Sequence, residues 1–164
     1  MARIKLDLPP AFAFATELSV RINDVNYGNH LGNAAVLALL HEARLRFLQS
    51  RGLSEVDVGG CGLIMTDAVL VYKSQAAHGD VLLVQIAAQD LTVLGCDLFY
   101  LVTNRVTGAE VARAKTGLVC YDYARQKPVR APDKFRDALA TALISSAPLE
   151  PPSSEKSFRD YRGF

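Results

Sequence analysis

The chain has 164 residues, 50% of them hydrophobic and 21% charged, with a formal net charge of +1. That length builds one core and leaves little room for a second domain. The near-neutral balance argues against nucleic acid or an anionic membrane surface as the main partner, and charges interrupt every long apolar stretch before it reaches the roughly 18–20 residues of a membrane span.

The start, MARIKLDLPPAF, lacks the continuous apolar core of a signal peptide. Cys61, Cys96 and Cys120 are odd in number, far apart and set in apolar surroundings, and no CxxC pair is present. They read as buried free thiols of a protein in the reducing cytoplasm. A first strand is predicted over Thr16 to Asn26, where Leu18, Val20 and Ile22 alternate with Ser19, Arg21 and Asn23. Continued parity puts Asp24 and Asn26 on the apolar face, at the far end of that strand.

A polar, turn-rich cluster follows, with Tyr27, Gly28, Asn29, His30 and Gly32, and it opens directly onto a helix predicted from Asn33 to Arg51. Gly52 is the natural residue to end it. Val36, Leu39, Leu40, Ala43 and Phe47 form the main apolar stripe, while Leu37, Leu45 and Leu48 make much of the remaining circumference apolar too. Such a helix should be wrapped by other structure.

After the glycines at 59, 60 and 62, strands are predicted at Leu63–Gln75, Val81–Asp90, Cys96–Asn104 and Ala112–Tyr123. The connections between them (Ala77-His78-Gly79-Asp80, Thr92–Gly95 and Thr107-Gly108) are short, which implies antiparallel neighbours. Pro128 and Pro132 end the strand region, and Asp133–Ile144 reads as a short closing helix. Residues 1–147 form one domain on this reading, and 148–164 form a loosely held Pro/Ser-rich tail whose Phe158, Tyr161 and Phe164 are candidates for docking on a neighbouring subunit. The fold class is α+β. A curled antiparallel sheet of about five strands wraps one long helix, which is the hot-dog architecture.

The junction between first strand and helix is the candidate site. A helix start carries unpaired backbone N–H groups, and here several polar side chains surround it, which is what polarising a carbonyl oxygen requires. Arg21, Asp24, Asn26, Asn29, His30, Leu31, Gly32 and Asn33, followed by His41, Ala43 and Arg44, align without a gap with the R-x-x-D-x-D-x-x-G-H-V-N-N and E-x-A-R pattern. Val71-Tyr72-Lys73 with His78-Gly79-Asp80, and Tyr121-Asp122 with Lys127-Pro128-Val129 and Pro132-Asp133, continue the likeness downstream. The chain thus resembles the 4-hydroxybenzoyl-CoA-type acyl-CoA thioesterases of the hot-dog superfamily over roughly Thr16 to Leu143.

The resemblance implies hydrolysis of a thioester, usually an acyl group on coenzyme A, with no metal and no organic cofactor. It implies that the backbone N–H of Asn33 binds the thioester oxygen, aided by the helix dipole. It also implies a carboxylate nucleophile or base at the end of the first strand or within the helix. This chain departs from the pattern at both carboxylate positions, which are Asn26 and His41. An amide can orient a water or hydrogen-bond the carbonyl, but it is no base at neutral pH.

The remaining candidates have two readings each. Asp24 is either catalytic or the partner of an Asx turn, of Arg21 or of Arg44. His41 is either a core histidine or the group that activates water. His30 either faces solvent or positions substrate. Asn29 and Gly32 are either turn residues before the helix or, with His30, substrate-binding residues, and Asn33 suits both a cap and an oxyanion donor. Asp67 interrupts an apolar strand expected to be buried, so it needs a partner, and it is the second candidate for the base, acting across a dimer interface. Glu42, four residues before Arg46, reads as half of a surface pair. Lys73, Arg125, Lys127 and Arg130 are either solvated charges or contacts for coenzyme A phosphates. A single sheet of this kind leaves an open strand edge, so a homodimer or a dimer of dimers is expected, with sites at the interface. The alternative function is a catalytically attenuated fold that binds acyl-CoA or another ligand without turnover.

Overall fold

A computed structural model describes residues 4–144, so the tail from Pro148, with Phe158, Tyr161 and Phe164, lies outside the described residues. The elements follow in the order β1 (Phe14–Ser19), a short 3-10 turn (Ile22–Asp24), α1 (Asn33–Ser50), β2 (Gly62–Tyr72), β3 (Val81–Gln89), β4 (Gly95–Asn104), β5 (Glu110–Asp122), β6 (Lys127–Pro128) and α2 (Asp133–Ile144). Every named neighbour pair is antiparallel, in the order β1-β3-β4-β5-β2, with β6 added to the end of β5. The sheet therefore has six strands, the sixth being only two residues long. The expected architecture is the observed one: a curled antiparallel sheet around one long helix.

Period-two alternation explains the sheet. In β4 the even-numbered Cys96, Leu98, Tyr100 and Val102 are buried against the core, and Asp97, Phe99, Leu101 and Thr103 face the other way. The stripe Val36, Leu39, Leu40, Ala43 and Phe47 of α1 is buried on that inner face, together with Leu48. Phe135 and Leu139 of α2 join the same core. No described helix is long and apolar enough to cross a membrane.

Two local departures from the sequence reading matter. The first strand stops at Ser19 and not at Asn26, because the Asp24 carboxylate closes a tight turn by accepting the Arg21 N–H at 2.9 Å. The alternation breaks there: Ile22 is exposed while Asp24 is buried. The other departure concerns the thiols. Cys61, Cys96 and Cys120 are all free, as expected, but Cys61 is only half-buried, and the fold brings it beside Cys120. Burial pushes Cys96 and Cys120 up to about 12, so neither is a thiolate nucleophile.

β2 is a sheet edge. Its inner neighbour is β5, and among the described residues no strand pairs with its other side, which runs along eleven residues. Met65, Thr66, Asp67 and Ala68 are exposed in its middle, where the register shifts between Met65 and Asp67.

Candidate active site at the start of the long helix

The turn before α1 is a small closed loop. Val25 and Leu31 form an antiparallel bridge, the Asn26 N–H donates to the His30 carbonyl at 2.8 Å, and the Asn29 N–H donates to the Asn26 carbonyl at 2.9 Å. Asn29 sits at φ 61°, a left-handed conformation that asparagine tolerates better than most residues. Its side chain is exposed, and its contribution is to the shape of the loop.

Asn26 shapes the same loop from within. Its Oδ1 accepts the N–H groups of Gly28 at 2.9 Å and His30 at 3.3 Å. Two backbone donors fix which end of the amide is oxygen. The Nδ2 group, a donor only, has no hydrogen-bond partner among the described residues. Asn26 lines a cleft of about 270 Å³ together with His30, Leu31, Asn33, Val36, Tyr72, Lys73, Ser74, Gln75, Ala76 and Val111.

The helix start opens into this cleft. Gly32 is the N-cap and has no side chain to cap the first turn. The Gly32 N–H is itself used, donating to the Asp24 carbonyl at 2.8 Å, and the first intrahelical bond is Val36 N–H to the Gly32 carbonyl at 3.1 Å. The N–H of Asn33 therefore belongs to the orphan donors of the helix start, where the dipole adds a partial positive charge. From the opposite wall, the Tyr72 hydroxyl donates to the Asn33 carbonyl oxygen at 3.1 Å.

The other sequence candidates lie apart from the cleft. Asp24 is buried beneath the loop, with Oδ2 accepting Arg21 Nε at 3.1 Å and Oδ1 accepting Nη2 at 3.2 Å. The hydrogen bonds from the Arg21 side chain hold its carboxyl below the ordinary range, against the opposing effect of burial. Asp67 was expected to be buried and is not. It lies on the outer face of the sheet, where Lys115 Nζ donates to it at 2.9 Å and also reaches Asp97 at 2.9 Å. The strand bulge at Thr66 turns it outward, and the Lys115 hydrogen bond holds its carboxyl low. Glu42 pairs with Arg46 at 2.8 Å on the helix surface, as read from the spacing.

His41 is neither a core residue nor a cleft residue. Its side chain is 50% exposed, and Nε2 lies 2.8 Å from Glu55 Oε2. It borders a second groove with Leu18, Arg21, Leu39, Glu42 and Arg46. Glu55 is the residue that sequence reasoning missed. Its Oε1 accepts from Nε of the buried Arg44 at 2.7 Å. Burial pushes the Glu55 carboxyl up, but the bonds and charges of His41 and Arg44 outweigh it and keep it below the ordinary value. No spacing signals this, because both links cross the turn after α1. Among the described residues no group of three His, Cys, Asp or Glu side chains could hold a metal ion.

Residues 20–139 match the model of the thioesterase-like superfamily. No functionally curated protein matches the chain. Among solved structures, a 1,4-dihydroxy-2-naphthoyl-CoA thioesterase from Synechocystis is 25% identical with a TM-score of 0.71, covering 77% of this chain and 95% of that one. A hypothetical protein from Staphylococcus aureus, solved in complex with CoA, is 18% identical with a TM-score of 0.74, covering 91% and 94%. A DHNA-CoA thioesterase from the same organism is 19% identical with a TM-score of 0.72, covering 79% and 89%.

Proposed function

The chain belongs to the thioesterase-like superfamily, and on that premise we propose that it hydrolyses an acyl-CoA or a closely related thioester. The observation that carries this reading is the uncapped helix start at Gly32-Asn33 facing a cleft that also holds Asn26 and His30. The thioester oxygen accepts the Asn33 N–H, and the Asn26 amide supplies a second donor. Both strengthen as charge develops on that oxygen in the tetrahedral intermediate. Coenzyme A as the carrier is supported by the CoA-bound relative from Staphylococcus aureus, and Lys73 at the cleft is a candidate for its phosphates. The proposed reaction uses water as its second substrate, with no metal or organic cofactor.

Water activation falls to His41, with Asp24 and Asp67 each held by a cation elsewhere. Within one chain His41 borders a different groove from Asn26, so the proposal includes a homodimer. The open β2 edge runs from Leu63, whose N–H donates to the Glu55 carbonyl at 2.8 Å, to Tyr72, which holds Asn33. Antiparallel pairing of two such edges about their middle sets the Tyr72 end of one beside the Leu63 end of the other. That exchange brings His41 of each subunit toward the helix start of its partner.

A second reading, binding without turnover, is favoured by Asn26 and His41 at the two positions where the resembling family has carboxylates. A panel of aliphatic and aromatic acyl-CoA substrates, followed by release of free thiol, separates the two. Hydrolysis well above background supports the enzyme. Background rates together with calorimetric binding of coenzyme A would establish the binding protein.

A further inference from the structure

We propose that Glu55 is a positioning residue that turns His41 into an oriented general base, so that a His–Glu pair replaces the carboxylate missing from this site. The proposal rests on the thioesterase reading for its catalytic consequence, and on the geometry of the pair for its chemistry.

The two oxygens of Glu55 have separate partners. Oε1 is held by the guanidinium of buried Arg44, and Oε2 lies 2.8 Å from His41 Nε2. Both neighbours keep the carboxylate ionised. An ionised carboxylate only accepts hydrogen bonds, so the neutral imidazole must carry its proton on Nε2. Nδ1 is then the lone-pair nitrogen, and among the described residues it makes no hydrogen bond. The ring is half exposed and so presents that nitrogen to a water. Glu55 itself is less suited to be the base, since its side chain is only 23% exposed and both oxygens are occupied.

The step balances without further reagents. Nδ1 accepts a proton from water as its oxygen bonds to the thioester carbon, giving a tetrahedral oxyanion and an imidazolium whose Nε2–H still donates to Glu55. Collapse breaks the carbon–sulfur bond, and the imidazolium proton passes to the departing thiolate, leaving acid and thiol. The carboxylate steadies the imidazolium and fixes the tautomer, as the third member of a catalytic triad does.

The test is a double-mutant cycle on the intact protein with its best acyl-CoA substrate, read together with ring-nitrogen NMR of the His41 imidazole. Glu55→Gln is expected to lower kcat on the order of 100-fold, with KM changed by less than about threefold. Glu55→Asp recovers part of the loss. In a His41→Ala background Glu55→Gln has no further effect, because Glu55 acts through His41. The NMR spectrum shows the Nε2–H tautomer in the parent protein and loses that preference in Glu55→Gln. Equal losses in both backgrounds, or an unchanged tautomer, would overturn the proposal. If the parent protein cleaves no thioester, the thioesterase reading fails by itself, and the tautomer measurement still decides whether Glu55 orients His41.

Discussion

The Tyr72 hydroxyl donates to the Asn33 carbonyl oxygen at 3.1 Å, tying the end of an open sheet edge to the first turn of the long helix. This one contact joins the surface on which a second subunit would pair to the N–H group that would hold the thioester oxygen. Tyr72→Phe keeps the ring and removes the bond. It is expected to lower stability by about 0.5–1.5 kcal/mol and to reduce kcat several-fold through a looser helix start. Thermal denaturation and steady-state kinetics on the same sample check both effects.

Asn26→Asp tests whether the amide is a donor or a stand-in for a lost carboxylate. With Oδ1 committed to Gly28 and His30, the amide offers its Nδ2 hydrogens to the cleft. Replacing them with a second oxygen removes a donor and sets negative charge beside the developing oxyanion. The expected result is a fall in kcat of about 100-fold, typical for the loss of one oxyanion donor. A rate gain in the same assay would instead show that the site lacks only a carboxylate at position 26.

Acid stability should follow the Asp24–Arg21 turn. The folded-state carboxyl of Asp24 titrates below its unfolded value because Arg21 hydrogen-bonds the ionised form. Its contribution is therefore fully present above the unfolded pKa, about 3.9, and is lost as pH falls through the lower folded value. Melting temperature is expected to hold from neutrality to about pH 5 and to drop below about pH 4. In Asp24→Asn the protein melts lower at pH 7, and the acid-dependent drop is smaller. An equal drop in parent and variant counts against this assignment.

The dimer is tested at Ala68, exposed in the middle of β2. Ala68 pairs with Thr116 on the inner face but is itself exposed, and Ala68→Asp sets two like charges close together where paired edges would meet. Sedimentation or light scattering should report a monomer where the parent is a dimer. Hydrolysis should fall at least tenfold, since each site then loses the partner's His41. A monomer with full activity would place the whole site within one chain.

Much of the fold was legible because its signals are local. The stripe through Val36, Leu40 and Phe47, the Gly52 stop and the alternation of β4 each repeat within a few residues, so periodicity alone locates them. The polar cluster before Asn33 was equally visible, as was an asparagine at position 26, where the resemblance implies a carboxylate. Asp24 and Asp67 were harder. Periodicity put Asp24 on a strand that in fact ends at Ser19, and it gave no warning of the bulge that turns Asp67 toward Lys115.

By itself, then, the sequence determined the curled sheet, the buried helix and the polar turn that opens onto its start, since these follow from the spacing of apolar, glycine and turn residues along the chain. Only the tertiary structure decided which ionisable groups meet across different elements. Charge pairing depends on which elements lie side by side and how their ends are aimed. Glu55 reaches His41 across a turn and 14 residues, a contact that no local pattern encodes.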